Sequence, residues 1–334
     1  MTDHAARSAS PPAPTLLSRL RRLGALRASG LIWVLLLMII VAVIYKPTFI
    51  NPSNLVSVAR QTALFGIVAI GMTMVILTAG IDLSVGSIVA VAGVVCATML
   101  DAGMPIWSVV IVGLLIGATL GAINGVVIVI GRVPPFIMTL GMMVIGRGLA
   151  MTISGGHPVH FREAAESFAW LGQGFLLGLP VPVWVFLLVA ASAFFVLRYT
   201  PFGRNIYAVG SNPEAARLSG INVGATIFGV YLISGVLAGL TALVMISRLT
   251  VGEPVLATGL ELEAIAMTVI GGTSLFGGEG GVIGTILGAA IVTVLANMLN
   301  LFGVSPFTQQ IVKGFIIVAA VLFETYRRNR NSAK

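Results

Sequence analysis

The chain has 334 residues, of which 57% are hydrophobic and only 9% are charged, where a soluble domain carries about 25% charged residues. So few charges cannot cover a soluble surface of this size, and the mean hydropathy of +1.06 points the same way. The lone cysteine, Cys96, excludes an intramolecular disulfide framework and a cysteine-rich metal centre, so the composition is that of an integral membrane protein.

Residues 1–29 are rich in Pro, Ser, Ala and Arg and lack an apolar core. They read as a disordered basic cytoplasmic tail, not a signal peptide. A membrane domain is expected over residues 30–325. A crossing helix needs about 20 apolar residues to span roughly 30 Å of hydrocarbon. Ten runs are candidates: Leu31–Tyr45, Thr62–Ala79, Val85–Leu100, Pro105–Ile130, Pro135–Ile153, Val181–Leu197, Ala225–Ile246, Leu262–Leu275, Val282–Leu301 and Phe307–Phe323. Some are short enough to be tilted or broken. The runs are continuous, not alternating, which excludes a membrane β-barrel. The expected fold class is therefore all-α and polytopic, with about ten transmembrane helices and a second basic cytoplasmic tail at 326–334.

Lysine and arginine placement orients the bundle. With the N-terminus inside, thirteen fall in inner segments and four (Lys46, Arg60, Arg162, Arg248) in outer ones. An even number of spans returns the C-terminus to the cytoplasm. The net charge of +8 is thus a signal of topology, and no nucleic-acid partner is expected. Arg147 falls within a span and is expected to snorkel outward or to pair with a carboxylate.

Small residues recur at four-residue spacing: Gly113, Gly117, Gly121 and Gly125 on the fourth span, Gly235/Gly239 and Gly284/Gly288 elsewhere. Such stripes let helix backbones approach closely in lipid. Ile116–Ala122 (IGATLGA) is echoed by Ile283–Ala289 (IGTILGA) five spans later, the offset an inverted-topology repeat would give.

The inner loop 198–224 carries the most information. Asn212 suits an N-cap, Pro213 the first helical position, Glu214 the positive helix end and Gly220 the stop. This predicts a short capped cytoplasmic helix over Pro213–Ser219, a rigid peg fit for a partner's cleft, or otherwise an element resting on headgroups.

Glu214-Ala-Ala followed by Gly220 resembles the EAA-type loop by which permeases of ABC importers couple to their ATPase. The later part of that motif is not matched. Ala79–Ser87 (AGIDLSVGS), Thr200–Arg204 (TPFGR), Ala215–Ile221 (AARLSGI), Gly271–Gly278 (GGTSLFGG) and Leu301–Phe307 (LFGVSPF) are similar in order to the ribose-type sugar permeases, within the branched-chain amino acid/ribose-type permease superfamily. The resemblance covers about residues 51–324. It implies a bacterial inner-membrane subunit that forms the path for a monosaccharide. A periplasmic sugar-binding protein, a cytoplasmic ABC ATPase and a second permease copy or close paralogue would be its partners. Coupling to the ATPase would fall to Arg204, Asn212, Pro213, Glu214, Ala215, Ala216, Arg217, Ser219 and Gly220.

No lysine lies in a Gly-x-x-x-x-Gly-Lys-[Ser/Thr] phosphate loop, so ATP and Mg are expected on the ATPase and no cofactor on this chain. Gly271–Gly281 reads as a flexible inner turn. Asp82 either caps the third span or lines the translocation path, and Asn124, Asn297 and Asn300 either line the path or bond between helices. His157, His160, Glu163 and Glu166 have ligand-like steps, but Pro158 breaks the helix that would align them, and no metal is expected. Nothing forms a catalytic constellation. The alternative reading, a secondary transporter or channel for a small polar solute, needs coupling carboxylates within spans, and Asp82 is nearly alone there.

Overall fold

The computed structural model describes residues 16–161 and 165–332. Among these residues thirteen α-helices form: α1 (Leu16–Tyr45), α2 (Pro52–Leu77), α3 (Val85–Asp101), α4 (Ile106–Ile130), α5 (Pro135–Ser154), α6 (Ala165–Gln173), α7 (Val181–Tyr199), α8 (Pro201–Ser211), α9 (Pro213–Leu218), α10 (Val223–Leu249), α11 (Leu260–Ile270), α12 (Val282–Leu301) and α13 (Pro306–Ser332). Two-residue strand pairs occur only in the connections, Val159-His160 against Val251-Gly252 and Phe175-Leu176 against Leu179-Pro180. By length and composition α2, α4, α5, α7, α10 and α12 can cross a membrane, and the apolar stretches of α1 and α3 are shorter.

All ten expected runs fall on helices, with three differences. The first helix begins at Leu16, so it extends into the segment expected as a tail; residues 1–15 lie outside the described residues. The eighth run becomes α11, only 11 residues long. At 1.5 Å per residue that is about 16 Å, half a bilayer. The residues before it, 251–259, are non-helical, with Ala257 and Gly259 at positive φ. The connection 154–180, which holds none of the ten expected runs, contains α6, which packs on α10. Of the four possible metal ligands there, Glu163 lies outside the described residues, and His160 sits in the strand pair with Val251.

The centre of the bundle is α2, α3 and α10, joined by one apolar core that includes Met72, Ile76, Ile88, Val89, Leu243 and Ile246. The glycine stripe of α4 runs antiparallel along α10. Gly117 faces Gly235 and Gly121 faces Tyr231 and Gly235, backbone to backbone; Gly239 faces the Gly113 carbonyl, while Gly113 itself makes room for the Leu243 and Cys96 side chains. The second stripe works the same way. On α12, Gly284 meets Gly271 and Gly288 meets the Met267 carbonyl at the end of α11. The two copies of the IG-x-x-LGA pattern therefore use one device, removal of Cβ, against different neighbours. Where small residues let the helices close up, hydroxyls bond across them: Thr73 of α2 and Thr285 of α12 are 2.6 Å apart.

Candidate functional site

Two regions hold the residues of interest. The first is α8–α9. Asn212 is extended (φ −160°) and its side-chain oxygen accepts from the amides of Glu214 and Ala215, both at 3.0 Å. The far end closes with Gly220 at φ +82° and the Ile221 amide donating to the Ala216 carbonyl at 3.0 Å. That is the left-handed stop for which glycine is suited. The predicted peg is present, one residue shorter than Pro213–Ser219. Along it only Ala216 is buried; Pro213, Glu214, Ala215, Arg217 and Ser219 are exposed. Glu214 and Arg217 form an exposed ion pair at 3.1 Å. Leu218 is 83% exposed at the tip, an apolar knob that the sequence reading passed over. Its signal was a leucine one step before the C-cap of a helix too short to bury an apolar face.

The sequence reading also missed α8, which precedes the peg. Its signal was local: Thr200 is an N-cap whose hydroxyl accepts from the Gly203 amide at 3.2 Å, and Pro201 takes the first turn. Arg204 is exposed on this helix. At the other end, Gly210 touches the Leu77 carbonyl of α2 and the backbone of Gly277 and Gly278. Gly278 in turn donates its amide to the Leu77 carbonyl at 3.0 Å. Tyr207 donates to the Gly280 carbonyl at 3.0 Å; burial raises its phenol pKa, and Arg198 partly opposes that. The glycine-rich segment 271–281, expected to be a flexible turn, is thus bound to α8 and α2. The peg, α8 and the end of α2 form one backbone junction.

The second region starts where that junction ends. Helical bonding breaks between Leu77 and Val85, with Ala79 at φ +60°. Non-helical backbone within a membrane bundle needs internal partners, and the chain supplies them. Thr139 and Tyr231 donate to the Ile81 carbonyl at 3.1 and 3.3 Å. Asp82, at 0% exposure, accepts from the Ser84 amide (3.0 Å), the Ser84 hydroxyl (2.6 Å) and the Ser234 hydroxyl of α10 (2.8 Å). Asn124 of α4 donates to the Ser84 hydroxyl at 2.8 Å, while its own carbonyl oxygen has no partner. Asp82 therefore holds the turn just ahead of α3, where Ser84 is the N-cap without a side-chain cap bond, and links the break to α4 and α10.

The structure does not bring the four polar candidates together. Asp82 and Asn124 are sealed in this node. Asn297 exchanges hydrogen bonds with Asn54 of α2 at 2.7 and 3.0 Å, and Asn300 accepts from Gln309 of α13 at 3.2 Å. The last two tie helices together. Arg147 does not snorkel: it donates to the Pro254 and Leu256 carbonyls at 2.7 and 3.0 Å. Those carbonyls belong to the non-helical entry to α11 and need donors more than the guanidinium needs water.

Asp82→Ala should expose the value of the node. It strands three donors, and a buried unsatisfied group costs about 1–3 kcal/mol, so the variant should melt clearly below wild type in detergent. An unchanged melting curve would show that the break holds without it.

A polytopic helical bundle with half-length and broken helices, a small-residue seam and a capped peg on one connection defines a membrane permease subunit. The chain belongs to the family described as branched-chain amino acid transport system / permease component, which it matches over residues 54–321. It is similar to the ribose import permease RbsC of Haemophilus influenzae, at 44% identity over 87% of this chain and 91% of that protein. It is 41% identical to RbsC of Bacillus subtilis, over 87% of this chain and 90% of that protein. To the L-arabinose ABC transporter permease AraH of Azospirillum brasilense it is 36% identical, over 91% of this chain and 89% of that protein. No solved structure matches. The chain is a multi-pass inner-membrane permease component.

Proposed function

We propose that the chain is the permease subunit of an ATP-driven monosaccharide importer, served by a periplasmic binding protein and driven by a separate ABC ATPase that holds ATP and Mg. The peg carries this reading. α9 is capped at both ends, buries only Ala216, and presents Glu214, Arg217 and Leu218 outward. A connection between two spans needs no such element, whereas a partner's cleft does. The names of the relatives, ribose and L-arabinose permeases, support a small sugar as the solute. Two copies, or one copy with a close relative, would give an ATPase pair two pegs to grip.

Replacing Glu214 with lysine and Gly220 with valine together tests the coupling role. The first reverses the exposed charge and the second strains a backbone at φ +82°, at about 1–2 kcal/mol. Membrane insertion should be normal and sugar uptake should fall at least about tenfold, which corresponds to a loss of about 1.4 kcal/mol in coupling. Full uptake by a well-expressed double variant would remove the assignment.

The sidedness has its own test, with Cys96 first changed to alanine. A Ser211→Cys thiol should react with an impermeant reagent only after permeabilisation, and a Ser167→Cys thiol without it. The opposite pattern would place the peg outside, where no ATPase can reach it.

A further inference from the structure

At the outer ends of α2 and α10 stand two arginines whose charges the described chain does not answer. Arg60 donates to the Gln173 carbonyl and places its guanidinium carbon 4.9 Å from the centre of the Phe175 ring. Its Nε is buried and has no partner. Arg248 makes no side-chain hydrogen bond to any described residue, and Gln173 bridges the two by donating its side-chain amide to the Arg248 carbonyl at 2.9 Å. Gln173 thus ties the Arg60 guanidinium to the backbone of Arg248, and both arginines are partly buried. Among the described residues the ion pairs are Arg217–Glu214 and Lys313–Glu263, so no carboxylate neutralises either arginine. Partly buried positive charges with no counter-charge are costly unless an anion joins them.

The level of the pair in the bundle identifies the anion. Phe175, beneath Arg60, begins the short hairpin Phe175–Pro180, whose tip is apolar and exposed, Leu177 at 85%. A tip of that kind suits the boundary between headgroups and acyl chains. Trp184 donates its indole N–H to the Leu176 carbonyl at 2.9 Å, and Trp170 is exposed on α6, so indoles mark the same level. Beside Arg248 a groove of about 100 Å³ lies between α2 and α10, walled by Leu64, Phe65, Met245 and Leu249 with Gln61 as its other polar neighbour. We propose that Arg60 and Arg248 bind the phosphate of an anionic phospholipid of the outer leaflet, with an acyl chain entering this groove. The site is independent of what the protein transports.

Native mass spectrometry of the full-length chain, titrated with phosphatidylglycerol and separately with phosphatidylcholine, reads the site directly. Arg248→Gln carries the test because that guanidinium holds no protein group in place; a matching melting curve confirms its fold. Wild type should retain phosphatidylglycerol about tenfold more strongly than phosphatidylcholine, the size of one charge-assisted contact. The preference should vanish in Arg248→Gln, survive largely in Arg248→Lys, and resist excess inorganic phosphate. Equal retention of the two lipids overturns the proposal, as does equal loss in the lysine and glutamine variants. Displacement by inorganic phosphate would make it a free-anion site, not a lipid site. If Arg248→Gln leaves lipid retention untouched but weakens capture of an acidic external protein, the pair is a protein contact and the proposal fails.

Discussion

Gly117→Leu should leave almost no folded protein in the membrane. Any Cβ at this position overlaps the Gly235 carbonyl oxygen, and its next neighbours are the Gly235 carbonyl carbon and the Gly239 Cα, both at 3.0 Å. Overpacking usually costs about 1–3 kcal/mol because side chains yield. Here every obstacle is backbone, so α4 and α10 must separate along the seam, and Gly113, Gly121, Gly235 and Gly239 lose their contacts with it. The loss should exceed about 4 kcal/mol, the range reserved for failures of packing or backbone. Fluorescence-detected size exclusion of a tagged variant would show aggregated or degraded chain. Gly141→Leu is the matched control, since nothing lies within 4 Å of a Cβ there. A monodisperse Gly117→Leu protein with wild-type melting would refute the seam.

The second large effect is expected at Gly210. A Cβ there overlaps the Leu77 carbonyl oxygen and comes within 2.7 Å of the Gly278 nitrogen. Gly210→Val should therefore break the hydrogen bond from Gly278 to Leu77 and push α8 off the end of α2. The exposed surface of α9 lies beyond this junction and keeps its own caps. The variant should still bind an ATPase partner, while uptake falls about a hundredfold, or about 2.7 kcal/mol lost from transmission. Co-purification together with uptake separates the two: loss of both points to misfolding, and normal uptake means that the junction transmits nothing. Leu77 is the last helical residue before the break that holds Asp82, so a displacement at Gly210 reaches the node that joins α3, α4 and α10.

What was legible in the sequence is what the bilayer or the local backbone imposes. The thickness of the hydrocarbon sets run length, so apolar stretches such as Val282–Leu301 coincide with their helix. Capping is equally local: Asn212, Pro213 and Gly220 act on amides and carbonyls a few residues away, and the peg appears where they place it. The glycine stripes announced close packing but not the partner. Nothing in Gly113–Gly125 says that α10 lies opposite, because lipid supplies no apolar drive and the choice is made by shape between segments over a hundred residues apart. The same limit hid the roles of the polar residues. Asp82 could be read as cap or path; only Ser234, distant in sequence, closes its third hydrogen bond and seals it inside. Arg147 looked bound for the membrane surface until the carbonyls of Pro254 and Leu256, stranded ahead of a half-length helix, claimed it. Inside a membrane each unpaired polar group must find another, and where that partner lies is a property of the tertiary structure alone.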